Sequence, residues 1–319
     1  MYRLGIDLGG TNIAVAVVDE NYNIVGRAKA KTDAQRPAED ICDTIAKVAM
    51  DAIKAAKLKK EDIASAGIGT PGSVIPSEGI VTYANNFASF NNLPLCAMLK
   101  ERLGFDIYID NDANAAAYGE YLAGAGVGTK DFIAVTLGTG VGGGVIVDGK
   151  MLLGSNFAGG ELGHTVLHMD GEPCTCGRRG CFEAYASATA LINQTKRAME
   201  ENKDSIMWEL VKETGGKANG RTAWDAMRRG DKAASEVVNT YIRYVAEGVC
   251  NIMNIFQPDL LCIGGGVSNE KENLIGPLNK IVRENIYTKH TETTDRVCVA
   301  KLGNDAGIIG AAFLDKLYK

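Results

Sequence analysis

No apolar run in the 319 residues is long enough to cross a bilayer, and Met1-Tyr2-Arg3 leads straight into an apolar stretch with no basic leader or cleavage site. A cytoplasmic protein with no membrane contact is therefore expected. Positive charge is not in excess: 34 Lys and Arg against 39 Asp and Glu give a net −5, which leaves no electrostatic reason to bind nucleic acid. Low-complexity segments and proline-rich linkers are missing, so disordered and collagen-like classes drop out. No G-x-x-x-x-G-K-S/T run occurs, which excludes a Walker-type phosphate loop. The remaining composition, 46% hydrophobic and 23% charged, is that of a globular chain, and its length suits two domains better than one.

What is present is one pattern used twice. Leu4 to Asp19 and Phe132 to Gly149 each read as an apolar, β-branched strand, a side-chain-poor turn and a second strand. The turns are Gly9-Gly10-Thr11 and Gly138-Thr139-Gly140, where backbone N–H groups can approach an anion closely. Taken singly, each reads better as a tight hairpin with no ligand. Their recurrence in corresponding places of two halves, each with a threonine hydroxyl, favours a grip on one polyphosphate and hence an ATP-using enzyme. Gly138 to Gly143 also matches G-x-G-x-x-G, but Val145-Ile146-Val147-Asp148-Gly149 follows as a strand and turn, not the helix that a dinucleotide site requires.

The order strand hairpin, then alternating helix and strand, occurs twice and implies α/β sheets covered by helices, with ligands near the C-terminal strand ends. In the first half, three strands fill residues 2–30 and a helix carries Ile41, Ile45, Val48, Ala52 and Ile53. A strand at Ile63–Gly69, a polar Asn-rich loop, a helix near Leu95–Arg102 and a strand at Asp106–Asp110 come next. Asn111-Asp112 then opens an Ala-rich helix that runs to about Leu122. The second half begins with strands near 131–137, 141–147 and 150–153, then an irregular loop from Gly159 to Glu183. Helices near 184–201 and 231–256 lead to a buried strand at Asp259–Ile263, a helix, the strand Val297–Ala300 and a final helix from about Asp305. Gly264-Gly265-Gly266 after the buried strand would let a flat ligand such as adenine press on backbone, or could serve only as a packing turn.

Eight cysteines without a secretion signal argue for thiols or metal rather than disulfides. Cys42, Cys96, Cys250, Cys262 and Cys298 lie in apolar surroundings and are expected to be buried as small hydrophobes. Cys174, Cys176 and Cys181 combine with His164 as H-x(9)-C-x-C-x(4)-C, a closed Cys₃His zinc pattern that is structural because no coordination position is left open. The intervening residues are too polar and glycine-rich to build a core, and a metal would supply their order. His168 competes with His164 as the nitrogen ligand, and spacing alone does not choose.

The carboxylates carry the chemistry. Asp7 ends the first strand beside the glycines, where it would repel phosphate unless Mg²⁺ on ATP stands between; a role in capping turn amides is an equal alternative. Asp112 reads first as a helix N-cap and second as a general base accepting an alcohol proton in phosphoryl transfer, with the helix N-terminus expected to lower its pKa. Glu161 and Glu183 flank the cysteine loop and suit capture of sugar hydroxyls, although solvated charge is the default for any one Glu.

The combination resembles the ROK family (repressors, open reading frames and kinases). The resemblance covers essentially the whole chain and rests on Asp7-Leu8-Gly9-Gly10-Thr11, Asn111-Asp112-Ala113-Asn114-Ala115-Ala116, Leu137 to Gly144, Gly160-Glu161-Leu162-Gly163-His164, and Cys174 to Glu183. It implies the actin-like ATPase fold: two ribonuclease-H-like domains with an interdomain cleft, the smaller at 1–118 plus 305–319 and the larger at 119–304. It implies an ATP-dependent hexose kinase acting on the 6-hydroxyl of glucose, with Asp112 as base and Asn111, Asp112, Glu161, His164 and Glu183 on the sugar. Asp7, Gly9, Gly10, Thr11, Asn12, Gly138, Thr139 and Gly140 would serve the phosphates and Mg²⁺, while Gly265 and Gly266 would face the adenosine. His164 would join Cys174, Cys176 and Cys181 on a structural Zn²⁺. Tyr83 to Phe87 would fall near the sugar. A homodimer or homotetramer and a place in glycolysis follow by the same analogy. Alternatives are a kinase for N-acetylmannosamine, N-acetylglucosamine or fructose, or a sugar-sensing regulator without kinase activity. The regulator would need a helix-turn-helix before the first strand, where only three residues stand. An ATPase of the actin or heat-shock type would leave the cysteine loop without a purpose.

Overall fold

A computed structural model describes residues 1–290 and 295–319. The chain forms two compact units, the first of Met1–Ala134, Gly144–Gly160 and Ala300–Lys319, the second of Val135–Gly143 and Glu161–Val299.

In chain order the elements of the first half are β1 (Tyr2–Leu8), β2 (Asn12–Val18), β3 (Ile24–Lys31), α1 (Ala38–Ala55), β4 (Ile63–Thr70), β5 (Ser73–Ile75), β6 (Ile80–Tyr83), β7 (Asn91–Leu93), α2 (Leu95–Leu103), β8 (Ile107–Asn111) and α3 (Asp112–Ala123). The main sheet of the first unit has the order β3-β2-β1-β4-β8. β1, β2 and β3 pair antiparallel as a meander, and β4 and β8 add in parallel on the other side of β1. Leu4, Ile6 and Leu8 of β1 are fully buried, and α1 turns Ile41, Ile45, Val48, Ala52 and Ile53 inward at the spacing that made it a helix in the sequence. The helices α10 (Ala306–Ala312) and α11 (Asp315–Tyr318) return to this unit. Arg3 Nε donates to both oxygens of Asp315, at 2.9 and 3.0 Å, and the Tyr318 hydroxyl donates to Asp110 of β8.

Three expectations needed revision here. The Asn-rich loop contains a small antiparallel sheet of order β5-β6-β7, fixed by the buried side chains of Val74, Val81 and Leu93. The final helix breaks at Phe313 and Leu314, both fully buried, into the two short helices α10 and α11. Of the five scattered cysteines, Cys42, Cys250 and Cys262 are buried, but Cys96 and Cys298 are only half-buried.

The second sheet is built from β9 (Phe132–Leu137), β10 (Val141–Val147), β11 (Lys150–Met151), β12 (Leu260–Gly264) and β13 (Val297–Val299), in the order β11-β10-β9-β12-β13. This is the strand order of the first sheet again: third, second, first, fourth, fifth. Within β9 and again within β10 the chain passes from one unit to the other. The second unit also holds α4 (Glu183–Ala186), α5 (Ala188–Glu201), α6 (Met207–Glu213), α7 (Thr222–Arg228), α8 (Lys232–Phe256) and α9 (Glu272–Asn285). α8 buries Val238, Tyr241, Ile242, Val245, Val249, Ile252 and Met253 along one stripe. Asp231 caps it by accepting the Ala234 N–H at 2.8 Å, and its other oxygen accepts from Ser205 Oγ and the Ile206 N–H, which seats α6. Among the described residues, no helix is long and apolar enough to cross a membrane.

Candidate functional site

In the first unit, β1 and β8 bring Asp7 and the start of α3 to the same end of the sheet. The turn after Asp7 is closed by the Gly9 N–H donating to the Asn12 carbonyl at 3.0 Å. Thr32 of the segment after β3 is fully buried; its hydroxyl donates to the Gly9 carbonyl at 2.6 Å and its N–H to the Thr11 carbonyl at 3.0 Å. Sequence reasoning missed Thr32, because nothing in its neighbourhood reads as a turn support. Asn86, from the segment expected near a sugar, lies against Gly10: a Cβ there would be 3.4 Å from the Asn86 Cβ.

Burial sets the electrostatics of this end. The Asp7 carboxyl is pushed up to about 6, mainly by desolvation and further by the nearby charge of Asp112. Asp112 keeps solvent contact, yet protein surrounds most of its carboxyl, and that desolvation lifts it above the ordinary carboxylate range. The expected lowering by the helix N-terminus is present, through the Ala113 N–H donating to Oδ1 at 2.9 Å, but burial outweighs it. Nor is Asp112 the cap of α3. Asn111 is, accepting the Ala113 N–H on Oδ1 at 2.8 Å while its Nδ2 donates to the Gly72 carbonyl at 3.1 Å. Asp110 is buried and carries no chemistry toward solvent; Asn111 N–H, Asn114 Nδ2 and the Tyr318 hydroxyl all donate to it.

In the second unit, His164, Cys174, Cys176 and Cys181 each offer one ligand atom, and these atoms lie within 4.8 Å of one another. Cys174 Sγ is 3.6 Å from His164 Nδ1, and the sulfurs of Cys176 and Cys181 are 3.7 Å apart. A tetrahedral zinc site with ordinary Zn–S and Zn–N lengths requires about 3.5 Å for an N–S pair and about 3.8 Å for an S–S pair. The donor set and its spacing fit that ion. His168 is elsewhere: its ring meets the edges of Tyr185 and Tyr244, with centroids 5.0 and 5.8 Å away. Phe182, directly after Cys181, is fully buried and pins the loop onto α8, where Gly248 leaves room for its ring.

His164 sits in a short 3-10 turn, Leu162–His164, that follows Glu161. With Nδ1 toward the sulfurs, Nε2 is left 4.0 Å from Glu161 Oε2. Glu183 begins α4, and both of its oxygens are occupied within the unit. Oε2 accepts the Val141 N–H and Oε1 accepts Thr175 Oγ1, each at 3.0 Å. Gly140 makes this possible, since a Cβ there would lie 2.3 Å from Oε2.

The second glycine turn is held by the N-terminus of α5. The Ala188 N–H donates to the Gly138 carbonyl at 2.8 Å and Thr189 Oγ1 donates to the Thr139 carbonyl at 2.7 Å, leaving Thr139 itself exposed. Ser187 caps the same helix by accepting the Ala190 N–H at 3.0 Å. A cavity of about 310 Å³ opens here, lined by Thr139, Thr175, Glu183, Tyr185, Asn193 and Arg197 among others. The α5 residues were not singled out in the sequence, which marked only a helix near 184–201. After β12, Gly265 has φ 81° and its missing Cβ would lie 2.5 Å from the Leu137 carbonyl oxygen, so glycine is required twice over. Gly266 faces open space.

The ROK family model matches residues 3–317. This chain belongs to the ROK family. It is 37% identical over 313 residues to a glucokinase of Thermotoga maritima, covering 98% of this chain and 96% of that protein. The crystal structure of a ROK family glucokinase from Streptomyces griseus in complex with glucose and AMPPNP is 34% identical, with a TM-score of 0.82, covering 98% of this chain and 99% of that one. A ROK hexokinase from Thermus thermophilus is 30% identical with a TM-score of 0.81, covering 98% and 97%. The fold is the actin-like ATPase fold of the sugar kinases, α/β in both halves.

Proposed function

We propose that this protein transfers the γ-phosphoryl group of ATP to the 6-hydroxyl of glucose. The observation that carries the reading is the desolvated Asp112 carboxylate at the C-terminal end of β8, in a chain similar throughout its length to glucokinases. Desolvation raises the Asp112 pKa above the ordinary carboxylate range, which makes it a better proton acceptor than an ordinary aspartate. Its role is to take the proton of the 6-hydroxyl as that oxygen attacks phosphorus. Asn111, Glu161, His164 and Glu183 hold the other hydroxyls, which fixes the attacking oxygen before the transfer.

Gly9, Gly10, Thr11, Asn12, Gly138, Thr139 and Gly140 serve the phosphates with backbone N–H and threonine hydroxyl groups, and Gly265 and Gly266 leave backbone bare for the adenosine. Asp7, poorly solvated beside a phosphate turn, suits a hold on Mg²⁺, directly or through water; the ion supplies charge compensation on the polyphosphate. His164, Cys174, Cys176 and Cys181 would hold a structural Zn²⁺: four protein ligands would leave it no open position, and it would order the loop that carries Thr175 and leads into Glu183. Residues 1–118 with 305–319 make a smaller domain with the first glycine turn and Asp112, and 119–304 a larger one with the second glycine turn, the cysteine loop and the adenosine site; the compact units differ in placing 119–134, 144–160 and 300–304 with the first. ATP as donor agrees with a cytoplasmic setting and a place at the entry to glycolysis, and family resemblance supports a homodimer or homotetramer.

A panel of hexoses in a coupled ADP-release assay tests the reading. Glucose is expected to have the highest kcat/KM. A preference for N-acetylmannosamine, N-acetylglucosamine or fructose would overturn the substrate assignment, and no ADP release with any sugar would overturn the kinase.

A further inference from the structure

The cysteine loop and the second glycine turn share one carboxylate. Thr175 Oγ1 donates to Glu183 Oε1 and the Val141 N–H donates to Oε2, both at 3.0 Å. Thr175 stands between Cys174 and Cys176, on a backbone turn closed by the Gly177 N–H donating to the Cys174 carbonyl at 3.0 Å and the Cys174 N–H donating to the Arg178 carbonyl at 2.9 Å. The Cys174 sulfur also lies 3.5 Å from Glu183 Oε1. A metal-bound cysteine is a thiolate with no proton to give, so in the loaded loop the Thr175 hydroxyl is the donor that Oε1 retains from this segment. On the other side of the carboxylate, Gly140 supplies no side-chain wall. Hydrogen bonds rather than packing therefore set the orientation of Glu183.

We infer that Thr175 is a positioning residue: its hydroxyl passes the order of the metal loop to Glu183, and through Glu183 to the Val141 amide of the glycine turn. Zinc on Cys174 and Cys176 would fix the residues on both sides of Thr175. The β-branched side chain has few χ1 choices and presents its oxygen in one direction. Glu183 then keeps Oε2 on the turn and Oε1 on the loop. The consequence for glucose rests on the kinase reading above; the consequence for the turn does not.

The test compares Thr175→Val and Thr175→Ser with the unaltered protein, each zinc-loaded and full length. Thr175→Val is expected to retain one zinc per chain by metal analysis and to lose roughly fivefold in hydrogen-exchange protection at the Val141 amide. It should raise KM for glucose roughly fivefold while kcat stays within about twofold, as expected for a group that orients a binding carboxylate. Thr175→Ser, which restores the hydroxyl, should recover both. Unchanged exchange at Val141 with zinc retained would overturn the inference. Zinc loss in Thr175→Val would overturn it as well, because the residue would then be a structural part of the loop. If the unaltered protein does not phosphorylate glucose, the kinase reading fails, and the exchange arm still decides the role of Thr175.

Discussion

In the first unit the glycine turn between β1 and β2 borders Asp7, is tied by buried Thr32, and shares its sheet end with Asp112; both carboxyls are lifted by desolvation. In the second unit the turn between β9 and β10 has no such charge at its root. It is tied by the N-terminus of α5 and by Glu183, whose other oxygen reaches the cysteine loop. The two turns occupy the same step of the same strand order. One scaffold therefore supports two electrostatic settings: poorly solvated acids suited to moving a proton and holding a cation, and an acid with a hydrogen bond on each oxygen, suited to holding still. The supports, not the turns, carry the difference.

The largest effect should come from the acid of the first unit. Asp112→Asn is expected to lower kcat by roughly 10²-fold or more, with glucose binding by calorimetry preserved. Near-normal turnover would reduce Asp112 to a helix-start residue and erase the contrast between the two turns. Next comes the support of the second unit. Cys181→Ser removes a fully buried ligand of the four-residue cluster. Zinc content should fall from one per chain toward none, the segment 171–180 should become protease-sensitive, and glucose affinity should drop about tenfold or more. An intact, zinc-free loop with normal affinity would mean that the metal is not what orders this side.

The smallest effect sharpens the comparison from the side of stability. Burial, with the charge of Asp112, pushes the Asp7 carboxyl up to about 6 in the folded chain, above the 3.8 of an ordinary solvated aspartate, so the folded state binds the proton more tightly than the unfolded one. Its charged form therefore destabilises the fold; the cost is absent below about pH 4 and complete above about pH 7. Asp7→Asn, measured without Mg²⁺, should raise the unfolding free energy at pH 7.5 by on the order of 1 kcal/mol, read as a higher Tm, and the gain should vanish near pH 4. A Tm difference that does not change with pH would show that burial does not strain Asp7.

Much of this was readable before any coordinates. The two hairpins stand out because β1, β2, β9 and β10 are continuous apolar runs broken by glycine, and α1 and α8 because their apolar residues recur every three or four positions. His164 and the three cysteines were legible as a set because tetrahedral ligation needs those side chains; spacing did not separate His164 from His168, the family resemblance favoured His164, and the structure puts the His168 ring against Tyr185 and Tyr244 instead. The β5-β6-β7 sheet was not legible: its strands have three or four residues, too few to show a period, and Asn91-Asn92-Leu93 reads as a loop. The helices α6 and α7, seven residues each, are set by packing rather than by their own pattern: α7 lies against α8, and α6 against α7. The pKa of Asp112 went the other way because capping is a local property of sequence and burial is not. The bonds of Glu183 join residues 42 and 8 positions away, a pairing that no local rule supplies.

The return of α10 and α11 to the first unit has a consequence for the order of events in folding. β1, β2, β3, β4 and β8 are all complete by residue 111, yet Ile308, Ile309, Phe313 and Leu314, all buried in the first unit, belong to residues made after the whole of the second. During synthesis the earliest sheet must wait, part of its apolar face bare, while more than half the polypeptide is still being translated. The first region to begin is thus among the last to be finished, and its half-built interval leaves apolar surface open to aggregation.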